Sequence, residues 1–263
     1  GFFGGEPDNF TYPRYNLDFA LFRLVDEAGD PMETEDHFPV DDDGLAEGDA
    51  VFIVGNPGTT NRLQTLAQLE FRRDVSDRAL LELLRARIEL LAGFVADHPE
   101  AAETHDLRNR LFSLENSEKS YQGQLEGLED PVLLARRVDA QAEFQAALEA
   151  DPGLRGRYGD LIGRMAAVQE EKRAAADAIR AFLAFGSPVL ESATLQRAFW
   201  GFQLLSGERG GAPEEQLASL RESLEGVEQQ HPELDAALLA ARFRELRRHL
   251  GSDHESVQAA LRG

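Results

Sequence analysis

The chain of 263 residues carries 48 Asp and Glu against 27 Lys and Arg, a formal net charge of -21, and it contains no cysteine. Negative charge on this scale repels phosphate backbones and anionic headgroups, which excludes nucleic acid and membrane surfaces as partners through general electrostatics. Without thiols, disulfide frameworks, thiolate catalysis and Cys-ligated zinc are excluded within these residues, and no apolar run is long enough to span a bilayer as a helix.

The length suits one large or two modest domains. The chain opens Gly1-Phe2-Phe3 without an initiator methionine and closes Leu261-Arg262-Gly263 inside a helical pattern, so it reads as an excised piece. No signal peptide is recognisable, which in such a piece says little about compartment.

Residues 4 to 23 form the stretch densest in chemistry-bearing types. Gly4, Gly5, Pro7 and Pro13 impose an irregular backbone. Aromatic residues crowd the same turn, and Asp18 stands where an apolar strand begins, a place where a carboxylate needs a partner. A strand is predicted from Phe19 to Val25, ended by the turn chemistry of Glu27-Ala28-Gly29-Asp30-Pro31. A second is predicted over Ala50 to Val54, whose unbroken apolar run suits burial on both faces. Two strands cannot bury themselves, so they require further strands from elsewhere. Between them Asp41-Asp42-Asp43-Gly44 suggests a calcium loop, but position twelve is Phe52 instead of Glu, leaving a solvated turn.

From Leu63 the period becomes helical. Leu80, Leu84, Ile88 and Leu91 share one stripe; Leu107, Leu111 and Leu114 form another; Leu161, Met165, Val168, Ala175, Ile179 and Phe182 a third. Leu217, Leu220, Leu224 and Val227 trace a fourth, and Leu234, Leu238, Leu246 and Leu250 a fifth. Asp130-Pro131, Asp151-Pro152 and His231-Pro232 mark helix starts. Gly186-Ser187-Pro188 and Gly207-Glu208-Arg209-Gly210-Gly211 are expected to break the series. The prolines are unevenly spaced and carry no travelling motif, so a packed bundle is expected in place of a solenoid.

No metal site or cofactor is expected. The histidines His37, His98, His105, His231, His249 and His254 never place two imidazoles on one helical face, and no phosphate-binding glycine loop is present. His98 and His231 read as helix-boundary residues, and Phe199, Trp200 and Phe202 as core. Asn116 and Lys119 stand three apart beside a helical stripe; spacing alone reads them as a surface pair.

Three blocks in order, Gly4 to Phe19, Glu47 to Gly58 and Arg62 to Leu69, resemble the bacterial dipeptidyl-peptidases seven and eleven. The match is close over the first quarter of the chain and continues mainly in helical character and in Asn116-x-x-Lys119. The resemblance implies a secreted or periplasmic serine exopeptidase that releases dipeptides from the free N-terminus of a peptide substrate, with a homodimeric parent left open. It also implies a chymotrypsin-like double β-barrel with a helical cap inserted before the nucleophile. On that basis the fold is mainly α: residues 1–70 are a β segment of the barrel, and 71–263 a helical-bundle cap cut short at its C-terminal end. By motif position Asp18 is the triad aspartate and Asn9 binds the substrate's amino group. Phe10 forms an apolar wall where the family usually has Trp, and Asn116 is the second amine-binding asparagine.

An aspartate held against histidine fixes the imidazole tautomer, and asparagine carbonyls accept from an ammonium without adding charge. The triad His and Ser are expected outside this chain, which contains no Gly-x-Ser-Gly turn, so the piece alone is expected to be inactive. The competing reading is a non-catalytic acidic helical module for protein contacts.

Overall fold

The computed structural model describes residues 22–32, 42–52, 55 and 63–262. Described residues from Gln64 onward belong to one unit and those between Phe22 and Leu63 to a second.

In the smaller unit a tight turn is closed by an isolated antiparallel bridge between Val25 and Pro31. Asp26 builds it: its carboxylate accepts from the amides of Ala28 and Asp30, each at 2.9 Å, while Gly29 takes the positive φ of 89° that the turn demands. The expected turn is thus present, whereas the expected strands are not seen among the described residues. Phe22 is 90% exposed, and Ala50 to Phe52 run without strand pairing, Phe52 being 93% exposed. Backbone groups in an apolar run pair only if other strands lie alongside, and among the described residues none does so. Asp42 and Asp43 lie in an exposed turn. The predicted strand residues Phe19 to Leu21, Ile53 and Val54 lie outside the described residues.

The larger unit is helical. In chain order its elements are α1 (Leu66–Phe71), a π-helical turn (Arg72–Ser76), α2 (Asp77–Asp97), α3 (Pro99–Thr104), α4 (Leu107–Glu129), α5 (Pro131–Ala150) and α6 (Pro152–Tyr158). There follow α7 (Leu161–Ala174), α8 (Ala176–Ala181), α9 (Ala193–Gly210), α10 (Glu214–Glu225), α11 (Pro232–Leu250) and α12 (Glu255–Arg262). The starts follow local chemistry. Thr65 and Gln68 form a reciprocal capping box on α1. Asp130 accepts from the amides of Val132 and Leu133, and Asp151 from those of Gly153 and Leu154, each just before a proline in the first turn.

The α2 helix is the axis. It runs antiparallel to α4, as the pairs Arg78–Glu129 at 2.5 Å and Arg85–Glu118 at 2.9 Å require, and antiparallel to α11, as Arg87–Glu245 and His98–Glu233 require. Between these helices lies one apolar cluster, Leu83, Leu84, Leu91, Ala102, Leu107, Leu114, Leu190, Leu234 and Leu238. Each fully buried leucine contributes about 1.5–3 kcal/mol relative to exposure. A second cluster joins Ala181, Leu246 and Val257, with Phe185, Phe243 and Leu250 packed against it.

One sequence expectation is corrected. The stripe drawn from Leu161 to Phe182 is split at Ala175 between α7 and α8, and it is not the buried face: Val168 and Phe182 are exposed while Gln169 is buried. Alanine-rich helices carry too little apolar contrast for the period to select a face. The expected break over Gly207 to Gly211 is found at the end of that stretch: α9 continues to Gly210 and stops at Gly211, which adopts a left-handed φ of 69°. Gly207 lacks a side chain for a packing reason, since a Cβ there would lie 3.1 Å from Leu217 Cδ2 of α10.

Candidate functional site

Asn116 lies halfway along α4 and is half-buried, as is Lys119 one turn later. The helix that carries them is defined by its apolar face, Leu107, Leu114 and Leu125 being buried against the core. Asp106 precedes it with φ 49° and accepts from the Asn109 side-chain Nδ2 at 2.7 Å. On the outer flank Arg85 of α2 donates to Glu118 at 2.9 Å and to Gln122 at 2.6 Å. The other predicted site residues, Asn9, Phe10 and Asp18, lie outside the described residues, and no geometry joins them to Asn116.

What the sequence reading missed is a buried cluster of charge. Arg87 of α2, Glu191 of the α8–α9 connection and Arg242 of α11 are 1%, 0% and 1% exposed. The Arg87 guanidinium donates to Leu190 O at 2.8 Å, to the two Glu245 carboxylate oxygens at 2.7 and 3.0 Å, and to Glu191 Oε1 at 3.4 Å. Arg242 donates to Ala181 O at 3.3 Å, to Leu183 O at 2.9 Å and to Glu191 Oε1. Arg110 of α4 completes the ring, donating to Val189 O at 2.8 Å and to Glu191 O at 3.5 Å. Gln196 and Gln230 also donate to the Glu191 carbonyl, each at 3.1 Å.

Burial pushes the Glu191 carboxyl above the ordinary glutamate range, against the pull of Arg242 and Arg87. Burial likewise pulls Arg110 down to about 10, which still leaves it charged at neutral pH. A signal for two of these residues was available. Arg242 falls midway between Leu238 and Leu246 at the same four-residue step, and Arg87 lies seven residues after Leu80, so both arginines occupy positions on apolar stripes.

A second cluster escaped single-helix spacing because its members come from different helix boundaries. His98 stacks on Phe94 at 4.3 Å between ring centroids; His231 lies 5.7 Å from His98 and 6.2 Å from His105. Both His98 and His231 do precede prolines at helix starts, as expected. Among the described residues no group of three or more His, Asp or Glu is disposed to hold a metal ion. Ser187 is occupied in turn formation, its hydroxyl accepting from the Leu190 amide at 3.2 Å.

Several clefts open on the described residues of this unit. One of about 450 Å³ lies among α2, α8 and α11, between Glu82 and Glu89 on one side and Arg180, Arg244 and Arg248 on the other. His249 at its end is held below the ordinary histidine value by burial, with Arg248 and Arg180 adding to the effect. Another, about 630 Å³, is bordered by Arg110, Ser113, Val189 and Gln196. Among the described residues, α4 carries the half-buried side-chain amide of Asn116, and buried guanidiniums donate to neighbouring main-chain carbonyls.

A family model described as Peptidase S46 matches residues 1–263. The chain is 29% identical over 164 residues to an Asp/Glu-specific dipeptidyl-peptidase of Shewanella putrefaciens, covering 59% of this chain and 22% of that protein. It is 26% identical over 160 residues to a dipeptidyl-peptidase 7 of Phocaeicola vulgatus, covering 57% and 22%. Over 80 residues it is 35% identical to an Asp/Glu-specific dipeptidyl-peptidase of Porphyromonas gingivalis, covering 27% and 11%. The matched stretch is thus less than a quarter of each of these relatives. No solved structure matches the chain.

Proposed function

We propose, for a chain that belongs to the Peptidase S46 family, a part in a serine dipeptidyl-peptidase that removes dipeptides from the free N-terminus of peptides. The observation that carries this reading is the family match over the whole chain, together with curated relatives named as dipeptidyl-peptidases. Residues 71–263 act as the helical cap over the cleft, and residues 1–70 contribute to a chymotrypsin-like β-barrel. The enzyme works in the periplasm or outside the cell. Among the described residues no helix is long and apolar enough to cross a membrane.

In this mechanism Asp18 holds the Nδ1–H of the triad histidine, so that Nε2 is free to accept the serine proton and the imidazolium that forms is stabilised. The substrate's ammonium donates to the side-chain carbonyls of Asn9 and Asn116, while Phe10 forms an apolar wall beside it. An acceptor set suited to a charged amine selects a chain end over an internal peptide bond, and the cap limits access by water.

The test uses the full-length enzyme. Asp18→Asn is expected to lower turnover of a dipeptidyl arylamide by roughly three to four orders of magnitude through the wrong histidine tautomer; near-normal turnover sinks the assignment. Acetylating the substrate's amine should abolish tight binding, whereas an unchanged KM removes the amine-anchor role from Asn9 and Asn116. The 263-residue chain by itself should release no arylamine.

A further inference from the structure

We infer that Arg110 is a positioning residue, clasping the α8–α9 connection so that α4 presents the Asn116 amide at a set height. The inference rests on the proposed role of Asn116.

The start of α4 is weakly tied by its own chemistry. Asp106 makes no side-chain cap bond to the helix amides and sits in the left-handed region. The C-terminal flank of Asn116 is tied to α2 by Arg85 with Glu118 and Gln122, bonds that lie at the exposed surface and hold little. Arg110, by contrast, reaches across to Val189 O and Glu191 O. Its anchor is itself immobilised: Leu190 O and the Glu191 carboxylate are held by Arg87, the same carboxylate by Arg242, and the Glu191 carbonyl by Gln196 and Gln230. The leucines of α4 fix which face is buried, but apolar contacts are weakly directional. Two guanidinium bonds to fixed carbonyls set displacement along and about the axis. Asn116 lies six residues further on, about 9 Å along the helix, close enough for a slip at Arg110 to be transmitted through the rigid backbone.

The experiment compares Arg110→Gln, Arg110→Lys, Asn116→Ala and the double variant Arg110→Gln/Asn116→Ala in the full-length enzyme. Amide hydrogen exchange over residues 112–119 should quicken about tenfold in Arg110→Gln while α2 amides keep their rates; equal exchange overturns the inference whatever the kinetics. KM for a free-amine dipeptidyl substrate should rise about tenfold with kcat within about twofold, and the double variant should be no worse than the poorer single variant. Fully additive losses overturn positioning through Asn116. Lysine keeps the charge but loses the fork, so Arg110→Lys should lie between parent and Arg110→Gln, and it carries the same measurements if Arg110→Gln fails to fold. A normal KM in Asn116→Ala overturns the amine-anchor reading, and with it the functional half of the inference, while the exchange rates decide separately whether Arg110 holds α4.

Discussion

Glu191 combines two demands that seldom meet in one side chain. Its Oε1 accepts from Arg87 and Arg242, while its Oε2 is buried without a hydrogen-bond partner. An ion cluster removed from water is weak evidence for stability as a whole, yet removal of one member leaves its partners charged and unpaired. Arg242→Ala is accordingly expected to cost about 3–5 kcal/mol, measured by urea unfolding. The pH dependence of Glu191 has the opposite sign from that of a well-solvated ion pair. Because burial raises its folded-state value above the ordinary 4.5, the native state holds a proton that the unfolded chain has already released. The contribution of Glu191 to stability therefore falls as pH rises from 4.5 through the raised value. His249, whose value is lowered from 6.5, contributes stability above 6.5 that is lost as pH falls. In a melting profile across this range, Glu191→Gln should remove the falling component and leave a steeper rise with pH; a profile parallel to that of the parent contradicts the assignment.

At the scale of elements, what the sequence makes legible depends on whether the determinant is local. The capping residues Thr65, Asp130 and Asp151, the leucine stripes of α2, α4 and α11, and the turn at Asp26 to Pro31 all follow from chemistry within a few residues. The α8–α9 connection does not, because its carbonyls are satisfied by arginines from α2, α4 and α11 far away in the chain. Its expected break at Gly186-Ser187-Pro188 is found, but the reason for the glycine is tertiary. A Cβ at Gly186 would stand 2.7 Å from Phe199 Cε1 and 3.0 Å from Trp200 Cζ2. Gly186→Ala is therefore expected to destabilise by about 1–3 kcal/mol through overpacking, visible as a lower Tm with a shifted tryptophan emission. An unchanged Tm means that the α9 aromatics move aside. The role proposed for Asn116 comes from the resemblance of its block, since spacing alone favoured a surface pair. Arg110 was not legible, because its partners are main-chain carbonyls that sequence does not mark.

At the scale of the whole molecule, 48 acidic against 27 basic side chains leave a net charge of -21, which strains any folded state by self-repulsion. Many ion pairs lie at the surface, such as Arg78–Glu129 and Arg221–Glu214, and contribute little individually. Raising ionic strength toward about 0.15 M, where screening acts beyond about 8 Å, should therefore raise the Tm of this chain; a fall would show that surface pairing outweighs the net repulsion. The ring of guanidiniums around residues 181–191 has a further consequence, for resistance to proteolysis. Endoproteases cut segments that can be drawn out into an extended strand, and irregular connections between helices are the usual entry points. Here the main chain is already engaged: Ala181, Leu183, Val189, Leu190 and Glu191 each offer a carbonyl that an arginine occupies. The connection lacks regular structure, yet these bonds oppose its being drawn out, so nicking of the native helical unit is expected to begin elsewhere.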